Sequence, residues 1–214
     1  MKFDTSKLKW TREPSCYTIS NDKIEIVTDP HTDLWQRTYY HFRNDNAPVL
    51  QIETEAMKSG GKMKIIEYFS SSNKEFYLSK IGESDWSAGK YLYHLLKEGR
   101  LKELVGEKCR VLMLTNGEEL ISFCTLAELD DIQPTDLSPW IGFIYTFPQY
   151  RGNRYATELL AFAEHLAHTD GAERVYISTN HIGLYEKYGY NLYGIMKDVD
   201  GEDSRVYSKD ITHS

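Results

Sequence analysis

TFPQYRGNRYATELL, residues 146–160, decides the fold. A strand-like run, PWIGFIYTF, ends at this stretch, and a helical period begins a few residues later. The helix is predicted from about Asn153 to His168, with Ala156, Leu159, Leu160, Ala163, Leu166 and Ala167 on its apolar face. Between strand and helix lie Arg151, Gly152, Asn153 and Arg154, and no acid occurs before Glu158. A helix start leaves backbone N–H groups unpaired and carries partial positive charge. A glycine beside it lets an anion come close to the backbone, so the corner suits a phosphate. It is neither a Walker loop, having no Gly-Lys-Ser/Thr, nor the GxGxxG dinucleotide pattern.

Working outward, a second stretch follows about thirty residues on. RVYIST reads as a strand and is followed by NHIGLYEKYGY, residues 180–190, whose middle reads as a short helix holding Tyr185. YNLYGIM and SRVYSKDI read as two closing strands. Upstream, MKIIEYF reads as a strand, SDWSAGKYLYHLLKEG as a helix capped by Ser84, and RLKELVG as a shorter helix. CRVLML and ELISFCTLAEL read as strands joined through Asn116-Gly117. The order from Met63 is β-α-α-β-β-β-α-β-α-β-β, an α+β domain with a mixed central sheet flanked by helices.

The composition changes at KSGGK, residues 58–62, which reads as a linker. It separates a small β-rich segment, residues 1–57, from a domain of residues 63–214. In the first, SCYTIS and KIEIVT flank a turn at Asn21-Asp22, and DLWQRTYYHF and APVLQIET are further strands. Four short strands make a thin core, so this segment is expected to pack on the second domain or on another copy.

The chain has 214 residues, 41% hydrophobic and 27% charged, the balance of a soluble globular protein. Residues 1–62 hold nine basic and nine acidic residues and residues 63–214 sixteen and twenty-three, so the whole net charge of −7 falls on the second domain. That balance disfavours nucleic acid and favours cationic partners. No run reaches the roughly 20 apolar residues of a membrane span, and MKFDTSKLKW lacks a signal-peptide core. A cytoplasmic location is expected. Cys16, Cys109 and Cys124 have no CxxC spacing, so neither a disulfide framework nor a metal site is expected.

The two stretches together, P-x-Y-R-G-x-x-x-A on a strand-to-helix corner and LYEKYGY after the next strand, resemble the GNAT acetyltransferase family over residues 63–211. Gln149, Tyr150, Arg151, Gly152 and Asn153 fit its Q/R-x-x-G-x-G/A motif, and Arg154 stands where a small residue is usual. The departure is expected to cost little if position 154 is already helical. Separately, EPSCYTISNDKIEIVTDPHTDLWQRTYYHFRNDNAPVL resembles the opening of the DUF1349 concanavalin-like family.

The GNAT resemblance implies acetyl-CoA as co-substrate and direct transfer of acetyl to a primary amine. It places the pyrophosphate on the amides of Arg151, Gly152, Asn153, Arg154, Tyr155 and Ala156. The pantetheine would lie along Tyr145, Thr146 and Phe147, with Asn180 hydrogen-bonded to it. Tyr185 would be the general acid on the departing thiolate. The strand before the corner carries no acid, so the general base falls to ELDDIQPTD: Glu128 first, then Asp130, Asp131 and Asp136, with His165 and His181 as alternatives. Trp86, Tyr91 and Tyr93 are candidate walls of the acceptor pocket. The partners implied are a small-molecule or peptide amine and a second copy of the chain. The competing readings are a catalytically weak CoA-binding module, or a carbohydrate- or protein-binding function of residues 1–57.

Overall fold

The computed structural model describes residues 62–116 and 119–212, preceded by the segments 9–13, 16–20, 24–28, 35–42 and 52–56. The chain divides into two units, residues 1–66 with 114–119, and residues 67–113 with 120–214. In the first unit five strands follow one another, β1 (Lys9–Glu13), β2 (Cys16–Ser20), β3 (Ile24–Thr28), β4 (Trp35–Phe42) and β5 (Ile52–Ala56), and β6 (Lys62–Glu67) begins there. Each pairs antiparallel with the next, from Lys9↔Ser20 through Ile52↔Ile65. β1 has one apolar residue in KWTRE and escapes the alternation expected of a strand. The turns expected at Asn21-Asp22 and Gly117 lie outside the described residues.

The second unit opens with three helices rather than the two expected: α1 (Lys74–Gly82), α2 (Ser87–Lys97) and α3 (Leu101–Val105). α1 buries only Tyr77 and Ile81, one turn apart, which is too sparse a stripe to read as helical period. Ser84 does not cap α2. The helix starts later, with Trp86 at its N-cap, and Ser84 is buried against Gly89, where its hydroxyl occupies the room a Cβ would need.

Strands β7 (Arg110–Thr115), β8 (Leu120–Ala127), β9 (Trp140–Thr146), β10 (Arg174–Thr179), β11 (Asn191–Lys197) and β12 (Asp203–Asp210) lie side by side in the order β7-β8-β9-β10-β12-β11. The sheet is mixed: β8 and β9 are antiparallel, β9 and β10 parallel, and β12 antiparallel to both its neighbours. β8 is buried at every position, as a central strand must be when both faces are covered. α4 (Tyr155–Thr169) packs along β8, β9 and β10, while α1 lies on β8 and α2 on β9. α4 buries Leu159, Leu160, Phe162, Ala163, Leu166 and Ala167, close to the predicted face, and also Glu164. The short helix expected around Tyr185 is a 3-10 turn, Tyr185–Tyr188, closed by Gly189 at φ 85°.

Two features of β9 open the sheet at its centre. Its register against β8 shifts between Phe123 and Thr125, and Phe143 in that bulge has φ 49°, a conformation costly for a bulky residue. Against β10, pairing is confined to Tyr176↔Trp140, with the Tyr176 N–H donating to Pro139 O at 3.0 Å. Beyond that pair β9 and β10 part, so the sheet has a gap whose mouth faces the corner at residues 147–154.

Candidate functional site

The corner is built mostly from backbone. After β9, residues Pro148–Tyr150 make one 3-10 turn, Arg151 is extended, and Gly152 has φ 84° with no atom within 4 Å of where a Cβ would stand. The Arg151 N–H is taken by Pro148 O at 3.2 Å. The first amide to donate inside α4 is that of Thr157, to Arg154 O at 2.9 Å. Among the described residues, the amides of Gly152, Asn153, Arg154, Tyr155 and Ala156 have no partner. Five consecutive free donors at the N-terminus of a 15-residue helix make an anion cradle. One fewer amide is free than expected, because the turn closes on Arg151.

Arg154 overturns the expectation of a helical position. It is the N-cap of α4 in the left-handed region, φ 62° and ψ 18°, where a Cβ costs roughly 1–2 kcal/mol. The small residue usual here is therefore a matter of backbone conformation. Its exposed guanidinium has no ion pair or hydrogen bond among the described residues. Arg151 behaves differently: its Nε donates to Thr146 O at 3.0 Å, its guanidinium lies 5.6 Å from the centre of the Tyr145 ring, and Nη2 is 3.5 Å from Asp85 Oδ1. It is folded back over the end of β9.

The stretch Tyr145–Phe147 is accordingly occupied. Phe147 N–H donates to Ile121 O at 3.0 Å, Ser122 Oγ donates to Tyr145 O at 2.6 Å, and Thr146 O is held by Arg151. Trp86 stacks on Tyr145, 5.9 Å between centres and 4° from parallel, and Tyr91 tilts against Phe143 at 6.5 Å. Tyr93 lies against Gly82 instead, away from β9.

Tyr185 stands near the gap, 6% exposed, with its ring against Tyr188, Tyr190 and Tyr207. Its hydroxyl makes no hydrogen bond among the described residues. Burial, then Tyr188, Cys124 and Asp130, push its pKa well above that of a free tyrosine. The turn that carries it is anchored from below. Tyr190 N–H donates to Tyr185 O at 3.1 Å, Tyr190 Oη donates to the buried Glu164 at 2.8 Å, and Lys209 Nζ pairs with the same carboxylate at 2.7 Å. Glu164 thus sits in the middle of an otherwise apolar helix face because it is fully paired.

The acids of ELDDIQPTD separate in space. Glu128 turns to the loop before β7, where Oε2 accepts from Lys108 N–H at 3.2 Å and packs on Gly106. Asp130 points at β9: its Oδ2 is 2.9 Å from the position of a Cβ on Gly142, with Thr125 Oγ1 at 3.1 Å from the same point. Asp130 is raised to about 7, first by burial and then by Asp131. Asp131 is also raised by burial, and it lies toward Asp198 and Asp200. Asp136 shows no comparable approach to β9, His165 lies on α4, and His181 is exposed beside Thr179. Asn180 is exposed at the end of β10. Gly142 and Phe143 were not singled out from the sequence; the available signal was a glycine inside the apolar run WIGFIYT. A separate hollow of about 360 Å³, lined by Ser138, Glu173, Arg174, Tyr176 and Asp210, lies at the opposite end of β9 and β10 from the corner.

Residues 67–190, which hold the corner, the gap and Tyr185, match the model of the acetyltransferase (GNAT) family. The chain belongs to the GNAT family. Residues 10–69 match a second family model, that of a protein of unknown function, DUF1349. No curated protein matches the chain. Among solved structures, it resembles a GNAT acetyltransferase from Desulfovibrio desulfuricans, at 13% identity and TM-score 0.54 over 70% of this chain and 99% of that one. An N-acetyltransferase from Lactobacillus plantarum aligns at 23% identity and TM-score 0.51, covering 70% and 98%. An aminoglycoside 6'-N-acetyltransferase complexed with coenzyme A aligns at 13% identity and TM-score 0.51, also covering 70% and 98%. At these identities the likeness is one of fold. GNAT membership makes the chain an acetyltransferase, and acetyl-CoA fits the corner and the gap: an open glycine, five free amides and parted strands.

Proposed function

We propose that the chain transfers acetyl from acetyl-CoA to a primary amine of a small, cationic molecule. The observation that carries this reading is the pairing of β9 with β10 at Trp140 alone, which leaves a gap between an amide cradle and a buried tyrosine. Acetyl-CoA supplies the activated acetyl thioester. The amides of Gly152 to Ala156 would hold its pyrophosphate. The backbone of Tyr145, Thr146 and Phe147, with Asn180, would border the pantetheine in the manner of an added strand. Arg151 must leave Thr146 O for that to happen.

An amine of pKa about 10.4 must lose a proton before it attacks. We assign the base to Asp130 rather than Glu128, because Glu128 is engaged with Lys108 and Gly106 while the Asp130 carboxylate lies against Gly142 of β9, beside the bulge. With its pKa raised to about 7, Asp130 is charged at neutral to basic pH and still basic enough to accept a proton. Attack forms the amide C–N bond and breaks the thioester C–S bond. A backbone N–H at the Phe143 bulge would polarise the carbonyl. Tyr185 would donate its hydroxyl proton toward the leaving sulfur. Burial makes Tyr185 a weaker acid than a free tyrosine, and the same low-polarity surroundings would make a thiolate formed beside it more basic as well.

The acceptor class is supported by the net charge of −7 and by the aminoglycoside enzymes among the structural neighbours. Residues 58–62 are proposed as the linker between residues 1–57 and the catalytic domain. The exposed Leu192 and Ile195 on the edge strand β11 support a second copy as partner. Among the described residues no helix is long and apolar enough to cross a membrane. The test is thiol release from acetyl-CoA against a panel of polyamines, aminoglycosides and amino acids. Amine-dependent release with the acetylated amine recovered supports the reading, and CoA binding without transfer to any amine supports the binding module instead.

A further inference from the structure

Arg151 rests on a set of groups that is complete without it. Asp85 precedes α2 and its carboxylate accepts from Tyr145 Oη at 2.5 Å, while the Asp85 N–H donates back to the same oxygen at 3.3 Å. Tyr145 is in turn held flat by the Trp86 ring at 5.9 Å and wedged by Phe123 and Phe147 at 5.2 and 5.0 Å. A fixed carboxylate beside a rigid aromatic face is the chemistry that receives an ammonium or guanidinium ion. In this structure the cation comes from the chain itself: Arg151 lies 5.6 Å over the Tyr145 ring and 3.5 Å from Asp85. The hold is weak. The two side chains are 54% and 62% exposed, and an exposed pair of this kind contributes on the order of 0–1 kcal/mol.

We propose that Asp85, Tyr145 and Trp86 form a cation subsite for the amine acceptor, and that Arg151 fills it until acetyl-CoA draws Arg151 away. The inference rests on the acetyl-transfer reading. Two separate demands act on Arg151 when the cofactor arrives. Its Nε occupies Thr146 O, on the segment that would border the pantetheine, and its backbone joins the corner that would receive the pyrophosphate. A diphosphate next to the corner offers the guanidinium bidentate contacts stronger than its present ones. Its departure bares Asp85 and the Tyr145 face together, so the site for a polycation opens only when the acetyl donor is bound. Asp85 then holds one ammonium group of the acceptor while another, neutral, reaches the bulge beside Asp130. A molecule with two or more amines is therefore the matching acceptor.

The test is calorimetry of the full chain with spermidine and with kanamycin, each in the absence and presence of saturating CoA. The expected result is amine affinity at least about tenfold tighter with CoA. Arg151→Ala should tighten CoA-free amine binding by a similar factor, since its internal competitor is gone. Asp85→Asn should weaken amine binding about tenfold with CoA affinity kept. Equal amine affinity with and without CoA in the unaltered protein, no gain in Arg151→Ala, wild-type affinity in Asp85→Asn, or no amine binding with CoA bound would each overturn the subsite. Failure of CoA to bind at all would instead overturn the acetyl-transfer reading beneath it, and far-ultraviolet circular dichroism confirms that each variant is folded.

Discussion

On the acetyl-transfer reading, the corner at residues 150–156 and the gap at residues 142–147 would serve one site, and they are made in opposite ways. The corner is exposed and would work through backbone amides, so side chains matter little there except at Gly152, with φ 84° and an open approach, and at Arg154, whose φ of 62° favours a small residue. The gap would work through side chains gathered from afar: Asp130 from a loop, Gly142 and Phe143 from β9, and the buried Tyr185 from a turn forty residues on. A site that grips by backbone leaves a contiguous motif. A site that reacts by side chains leaves scattered residues whose meaning depends on the fold. Substitutions should accordingly separate affinity from turnover.

The largest effect is expected at Asp130. Asp130→Asn should lower kcat/KM by about 10²–10⁴-fold, the usual worth of a general base, with CoA affinity unchanged in calorimetry. Glu128→Gln should stay within about threefold of wild type, and a loss as large as that of Asp130→Asn would return the base to Glu128. Tyr185→Phe should lower kcat by about 10–100-fold and leave CoA affinity within twofold, because only the transition state uses its proton. At the corner the pattern inverts. Gly152→Val should weaken CoA by about tenfold or more through blocked approach and left-handed strain, with little change in kcat once the protein is saturated.

Smaller effects concern stability. Arg154→Gly relieves a left-handed residue and should raise stability by about 0.5–1 kcal/mol, read as a higher melting temperature. If CoA affinity falls in that variant, the free guanidinium of Arg154 grips phosphate; if it holds, the side chain only borders the site. Asp130 also carries a pH signature. Its folded pKa, about 7, is above that of a free carboxyl, so the folded state holds the proton more tightly. The stability this gives is fully present below about pH 4 and is lost as pH rises toward 7. Asp130→Asn should therefore raise the melting temperature at pH 8 and change it little at pH 4.

The corner and α4 were legible because each is local: a glycine after a strand, then Leu159, Leu160, Ala163 and Leu166 at helical spacing. LYEKYGY was legible through its place after a strand, though as a 3-10 turn rather than a helix. α1 was missed because Tyr77 and Ile81 are its only buried residues, and α2 was started early because Ser84 looks like a cap yet is buried under Gly89. The left-handed backbone at Arg154 leaves no sequence signal, because side-chain identity does not reveal φ. Glu128 stands out in the sequence because it comes late in the run ELISFCTLAEL; that Asp130, not Glu128, turns toward Gly142 depends on strand register and on the loop after β8, which no local pattern shows. The latch of Arg151 on Asp85 joins residues 66 apart and has no local trace.

The most direct measurement is the pH dependence of kcat/KM for acetyl transfer to a polyamine, in the unaltered protein and in Asp130→Asn. The account predicts an acidic limb with a midpoint near 7 in the first, rising with pH as Asp130 loses its proton, and no such limb in the second. A limb at the same pH in Asp130→Asn, with activity near wild type, would contradict it.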